Sequence, residues 1–294
     1  MLKEMTGIHS FFDDQKSWLL FRECLNNGTS HSHDSLRRGY GDFQTPADLT
    51  DDICSFLSKT NFKPRTIIEP TFGKGSFLIS SLKHFNSVKY IFGIEIYDSY
   101  VRETKFRILE YFLENPQHIK PDIYLFKQDI FNFDFQYVQE KMGDPVLVLG
   151  NPPWITNSEL STLNSSNVPT KSNLKNFKGL DAITGKGNFD IGEFISLLML
   201  KNFSTMHGKM AFLIKNSVIK NLVQDLPKFN YKISNIKTYQ IDAKSYFNAS
   251  VGASLFTCDF NQSDNDLTCE SHEKLSDNSV FVMFGWYKNK FISD

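Results

Sequence analysis

The sequence predicts an α/β protein built on a doubly wound, mostly parallel, seven-stranded sheet. Short apolar runs stop abruptly at glycine, proline or an acid, as in Thr66-Ile67-Ile68-Glu69-Pro70 and Val146-Leu147-Val148-Leu149-Gly150. Unalternating runs of this kind are strands buried on both faces, which marks a parallel sheet. Helix-forming stretches separate them, so strand and helix alternate along the chain. At 294 residues the chain can bury one large core, with room for little more.

Phe11 to Asn26 reads as an amphipathic helix, and residues 27–40 as a polar linker carrying Arg37 and Arg38. His31 and His33 fall in that linker with no carboxylate or thiol beside them, which makes them solvated rather than metal-binding. Thr45-Pro46-Ala47-Asp48-Leu49 is a helix start, with Thr45 expected as N-cap and Pro46 at the first helical position. Leu49, Ile53, Phe56 and Leu57 then form one apolar stripe. The strand from Thr66 closes on Glu69 and passes through Pro70-Thr71-Phe72-Gly73-Lys74-Gly75 into a helix beginning near Ser76-Phe77-Leu78. Gly73 and Gly75 let the backbone approach a ligand, and the helix start presents free N–H groups and the positive end of a dipole. Alone, a Gly-x-Gly pair also marks an ordinary βα turn, and Gly73-Lys74-Gly75-Ser76 lacks the P-loop spacing.

The next strand, Tyr90 to Glu95, ends in an acid about twenty residues past Gly75, where nucleoside-binding folds place a carboxylate against ribose hydroxyls. A helix is expected around Val101 to Leu113, then a strand from Ile123 to Lys127. That strand leads to Asp129, an acceptor for an adenine amino group, and Phe131, a face for its ring. Each acid alone could equally be a solvated strand end or a helix cap. Three such groups in order on successive strand ends point to a nucleoside cofactor. Farther on come a helix from Asp190 to Phe203, strands at Lys209 to Lys215, Asn235 to Asp242 and Ser250 to Asp259, and an apolar, strand-like piece from Val280 to Tyr287.

Directly after the strand at Val146 stands Asn151-Pro152-Pro153-Trp154. A strand terminating in two prolines at the carboxyl edge of an α/β sheet lies where such folds bind ligands. The residue types suit methylation of a planar exocyclic amine, whose lone pair is delocalised into the ring. Asn151 offers a side-chain carbonyl for one amine hydrogen, and the Pro152 backbone carbonyl can take the other. Trp154 offers a flat face for a base; its alternative role is that of a tryptophan capping the core.

In ordered combination these motifs resemble the N6-adenine DNA methyltransferases of restriction–modification systems, in the subgroup whose cofactor motifs precede the catalytic one. The resemblance covers roughly residues 40 to 260. It implies the seven-stranded sheet of S-adenosylmethionine-dependent methyltransferases, and S-adenosylmethionine as cofactor with no metal. Gly41-Asp42-Phe43-Gln44-Thr45-Pro46 resembles the segment enclosing the methionine part of the cofactor, which implies contacts from Phe43, Thr45 and Pro46. Glu69, Pro70, Gly73, Gly75 and Phe77 are similar to the cofactor loop, Glu95 to the ribose acid, and Asp129 with Phe131 to the adenine contacts. Asn151, Pro152, Pro153 and Trp154 are similar to the catalytic motif, with Asn151 also beside the cofactor. More loosely, Asn188 to Phe194 resembles the helix flanking the cofactor adenine, and Phe247 an aromatic that meets the flipped base.

Composition sets further expectations. The cysteines, Cys24, Cys54, Cys258 and Cys269, show no Cys-x-x-Cys spacing, which argues against a zinc site or a disulfide framework. No apolar run reaches membrane-spanning length and the N-terminus has no signal-peptide core, so a cytoplasmic protein is expected. The stretch from Ile155 to Gly187 is too long and polar for an ordinary connection. Its Lys171, Lys175, Lys178 and Lys186 outnumber Glu159 and Asp181, which suits phosphate contact or a solvated surface. The balance of 32 basic and 33 acidic side chains lacks the basic excess usual in a stand-alone DNA-binding enzyme. The chain is accordingly divided into an N-terminal helix and linker (1–40), a catalytic domain (41–262) and an extension (263–294) read as the start of a target-recognition domain, unless a separate subunit reads the sequence. No metal-nuclease cluster of carboxylates and lysine is evident. Three functions follow: adenine-N6 methylation of DNA, the same chemistry on RNA bases or protein glutamine, and a cofactor-binding or DNA-clamping module without turnover, against which the intact Asn151 to Trp154 motif argues.

Overall fold

The computed structural model describes residues 2–12, 18–19, 43–156, 190–261, 266–288 and 290–292. Most of the expected helix from Phe11 to Asn26, the linker with Arg37 and Arg38, Gly41, Asp42, the lysines of the long polar segment, Asn188 and Phe189 lie outside these residues. Of that helix's described residues, Phe11 and Phe12 are not helical while Trp18 and Leu19 are; before them stands a short helix, α1 (Leu2–Thr6).

The sheet is built first from β1 (Thr66–Glu69), β2 (Tyr90–Glu95), β3 (Asp122–Lys127), β4 (Val146–Gly150) and β5 (Gly208–Lys215). All four pairings among these strands are parallel, with Ile68 opposite both Phe92 and Val148. β7 (Ala253–Phe260) runs antiparallel between β5 and β6 (Ile233–Ile241). The order β3-β2-β1-β4-β5-β7-β6 is the expected doubly wound arrangement. The winding reverses between β1 and β4, which opens a crevice beyond their carboxyl ends.

Alternation of side chains along each strand feeds two apolar layers. Ile67, Ile91, Leu147 and Leu149 pack under α2 (Ala47–Ser58), α3 (Ser76–His84) and α4 (Asp98–Glu114), meeting Ile53, Leu78 and Ile108. Ile68, Phe92, Val146 and Val148 face the other way, beneath α5 (Gln136–Lys141), α6 (Ile191–Phe203) and α7 (Asn216–Asp225), meeting Val138, Phe194 and Leu222. α6 is buried along nearly its whole length, as its almost continuous apolar sequence requires. A short helix, α8 (Ala243–Phe247), joins β6 to β7.

The sheet has ten strands rather than seven. β8 (Thr268–His272) pairs parallel with β6, and β9 (Val282–Tyr287) and β10 (Lys290–Ile292) continue antiparallel. Thr268-Cys269-Glu270-Ser271-His272 carries no apolar run, and β10 is three residues long. Neighbouring strands, not local sequence, define both. Cys269 is wholly buried, Phe284 packs against the core, and Trp286 Nε1 donates to the Gln224 carbonyl of α7 at 3.1 Å. Among the described residues, no helix is long and apolar enough to cross a membrane.

Candidate active site

The crevice beyond β1 and β4 is an open, mostly apolar cleft with polar groups converging on it, the usual form of a small-molecule site. The ends of β1, β2, β3 and β4 each contribute to it. From the expected site residues, Phe43, Thr45, Glu69, Pro70, Gly73, Phe77, Glu95, Asp129, Phe131, Asn151 and Pro153 line it together. Sequences far apart in the chain therefore converge on one surface.

The turn after β1 takes its shape from its glycines. Gly73 and Gly75 have φ of +52° and +75°, values that side chains with a Cβ rarely adopt. A Cβ on Gly75 would also lie 2.5 Å from Thr104 Cγ2 on α4. Glu95 holds the turn from the neighbouring strand end: Oε2 accepts from Gly73 N at 2.9 Å and Oε1 from Tyr97 N at 2.8 Å. From behind, Arg107 Nη1 donates to the Lys74 carbonyl at 2.5 Å and Thr104 Oγ1 to the Gly73 carbonyl at 3.2 Å. Neither α4 residue was singled out from sequence. Their spacing of three along one helix face is the signal that places both against the turn.

Phe43, Gln44 and Thr45 run across the cleft mouth and touch two motifs. Gln44 Oε1 accepts from Lys74 N at 2.9 Å, which ties the segment to the turn. Asn151 Nδ2 donates to the Phe43 carbonyl and to Thr45 Oγ1, both at 3.1 Å. Thr45 is therefore not the helix cap expected of it: Pro46 occupies the N-cap position and no side-chain capping bond is made. The Thr45 hydroxyl faces Asn151 instead.

At the adenine end expected from sequence, Asp129 Oδ1 accepts from Phe131 N at 3.0 Å and Oδ2 from Asn132 Nδ2 at 3.2 Å. Burial pushes its carboxyl above the usual range. Phe131 lies 5.2 Å from Phe194 between ring centroids. Asp190 caps α6 through Gly192 N at 2.9 Å and pairs with Lys215 at the end of β5. Ile191 N donates to the Ile155 carbonyl at 2.9 Å, pinning α6 to the end of the catalytic motif.

Trp154 and Phe247 stand elsewhere. Trp154 is only 7 % exposed, its Nε1 donates to the Leu213 carbonyl at 3.3 Å, and it lies 5.3 Å from Phe43 and 5.0 Å from Phe247. The two aromatics expected to meet a base pack on each other and on Phe43, and neither lines this cleft. Pro46, Gly75 and Pro152 are not among the residues that line the cleft, although Gly75 shapes the turn that does. Lys171 and Lys175 lie outside the described residues.

Three buried polar atoms on the cleft wall have no hydrogen-bond partner: Glu69 Oε2, Thr71 Oγ1 and Asn151 Oδ1. Buried polar groups are almost always paired, so three at one surface mark the place of a polar ligand. Glu69 is wholly buried, and burial, then the charge of Glu95, push its carboxyl well above the usual range. Acceptors at Glu69, Glu95 and Asp129, a helix N-terminus at Gly75 and the ring of Phe131 form a donor and acceptor set that fits S-adenosylmethionine, with its amino acid, ribose and adenine parts.

The fold is that of S-adenosylmethionine-dependent methyltransferases, and the lining of the cleft fits that cofactor. The fold is similar to that of a Listeria monocytogenes protein assigned to class I of these enzymes, at 15% identity and a TM-score of 0.55 over 90% of this chain and 74% of that one. It is also similar to the methyltransferase subunit of a Streptococcus thermophilus type I restriction–modification system, at 16% identity and a TM-score of 0.51 over 95% of this chain and 59% of that one. In sequence the chain is 33% identical over 264 residues to the type II methyltransferase M.NspV of Nostoc sp., covering 90% of this chain. In sequence as in fold it is therefore similar to methyltransferases of restriction–modification systems. It spans about half, 53%, of the length of M.NspV. No protein-family model matches the chain.

Proposed function

We propose that the chain is the catalytic part of an enzyme that methylates the exocyclic N6 of adenine in DNA, as the modification activity of a restriction–modification system in the cytoplasm. The observation that carries this reading is Asn151 Oδ1, buried at the end of β4 without a partner while both hydrogens of its amide are engaged. An acceptor so placed is matched to an amine N–H. Together with the Pro152 carbonyl it draws both hydrogens out of the plane of the base and frees the nitrogen lone pair for attack. S-adenosylmethionine supplies the methyl group as an electrophile. Glu95 and Asp129 hold its ribose and adenine, while Glu69 and the turn at Gly73 receive its amino acid end.

Catalysis is assigned to residues 41–262. The duplex must release its target base before the amine can reach Asn151, and the near-neutral charge of the chain leaves much of the grip on DNA to a recognition domain or subunit. Lys171 and Lys175 are proposed as phosphate contacts.

The test supplies labelled S-adenosylmethionine with adenine-containing duplex DNA, RNA and protein, and identifies the methylated product. N6-methyladenine in DNA is expected. Label appearing in RNA or on glutamine, with none in DNA, overturns the choice of substrate while leaving the chemistry of Asn151 standing.

A further inference from the structure

We infer that Thr45 is a positioning residue that fixes which way the Asn151 amide faces, and that it acts through Asn151 rather than on the cofactor. This inference rests on Asn151 being the acceptor for the target amine. An asparagine side chain has two nearly isosteric edges, one that donates and one that accepts. Only the accepting edge can hold an amine hydrogen, so the orientation of the amide decides whether the site is competent.

The surroundings of Asn151 decide it. The Phe43 carbonyl can only accept, and it lies 3.1 Å from Nδ2; turning the amide over would set two acceptor oxygens against each other. Thr45 Oγ1, also 3.1 Å from Nδ2, receives the second hydrogen. Both N–H bonds are then used within the protein, and Oδ1 is left with no protein partner on a residue that lines the cleft. Thr45 is free for this because the start of α2 takes no side-chain cap from it. It is also rigid: Thr45 is only 9 % exposed, and its β-branched side chain has little rotamer freedom. The adjoining Gln44 bonds to the backbone at Lys74, so the segment that orients Asn151 is anchored to the opposite wall of the same cleft.

Thr45→Val keeps the shape and removes the acceptor, while Thr45→Ser keeps the hydroxyl. With one Asn151 hydrogen unsatisfied, Thr45→Val is expected to lower kcat at saturating S-adenosylmethionine roughly 10- to 100-fold, the scale of one lost buried hydrogen bond. Cofactor affinity by calorimetry should stay within about threefold of the parent, less than the cost of losing a direct hydrogen bond. Thr45→Ser should recover most of the rate. Adding Thr45→Val to Asn151→Ala should change neither rate nor cofactor affinity further, because the residue through which it acts is gone. The inference is overturned if Thr45→Val weakens cofactor binding to the same degree with and without Asn151, or leaves kcat unchanged. Substantial activity in Asn151→Ala itself would instead overturn the role of Asn151, so the two failures are distinguishable. If Thr45→Val does not fold, Thr45→Ser and Thr45→Ala still test the point, since only the serine retains an acceptor and only it should retain the rate.

Discussion

Asn151 and Glu69 both line the cleft and each carries a buried oxygen without a partner, yet their removal should have opposite signatures. Asn151→Ala takes away the acceptor proposed for the reacting amine, and loss of one such preoriented group costs on the order of 100- to 1000-fold in rate. Its cofactor affinity should be near that of the parent, which calorimetry on the inactive variant can establish. Near-normal turnover would remove Asn151 from the chemistry. Glu69 bears on stability. Its carboxyl is pushed well above the usual range by burial and then by Glu95, so the folded state holds this proton more tightly than the unfolded chain does. The associated stability is fully present below the ordinary carboxylate value of about 4.3 and is lost as pH rises through the higher folded value. Glu69→Gln is neutral throughout. The variant should therefore unfold at a higher temperature than the parent at neutral pH and show a flatter dependence of Tm on pH, while binding S-adenosylmethionine more weakly. Asp129 and Asp190, also raised by burial, leave a residual slope of the same sign. A parent and variant with parallel Tm profiles would mean that Glu69 is not the group strained by burial.

At the scale of elements, the central strands were legible because a strand buried on both faces needs an unbroken apolar run, and Val146 to Leu149 or Ile91 to Ile94 fit nothing else so well. Their ends were legible for a related reason, since glycine, proline and acids stop such runs where ligands bind. Thr45 was misread because a Thr-Pro pair before a helix has the same local pattern whether the hydroxyl caps the helix or reaches Asn151, more than a hundred positions away. β8 and β10 were missed because partners in the sheet, rather than their own residues, define them as strands. Trp154 shows the same ambiguity for packing. The sequence offered a stacking face or a core cap, and the structure encloses the indole with Phe43, Phe247 and the Leu213 carbonyl. Trp154→Ala should accordingly cost about 3–5 kcal/mol of stability, as large aromatic truncations in cores do, with Trp154→Phe keeping most of it. Chemical denaturation measures this directly. Unchanged stability combined with a selective loss of kcat/KM on duplex DNA would put the indole against the base after all.

For the molecule as a whole, the boundary expected at residue 262 cuts through a continuous sheet. β8 pairs with β6 along four residues, Cys269 is wholly buried between them, and Phe284 and Phe291 pack against the same core that underlies α7. A chain ending at Phe260 would uncover the edge of β6 and the flank of α7 together. Burying one large apolar side chain contributes roughly 1.5–3 kcal/mol, so losing several partly and fully buried ones should cost about 3–6 kcal/mol, a large share of the stability of a typical domain. The cleft beyond β1 and β4 lies across β5 and β7 from this edge, so the loss should fall on stability before it falls on cofactor binding. Denaturant unfolding of the 1–260 chain beside the full one should show a lower midpoint, with S-adenosylmethionine still raising the Tm of both. Equal midpoints would make residues 263–294 an appendage with its own business, such as the first part of a recognition domain, rather than the outer strands of the catalytic sheet.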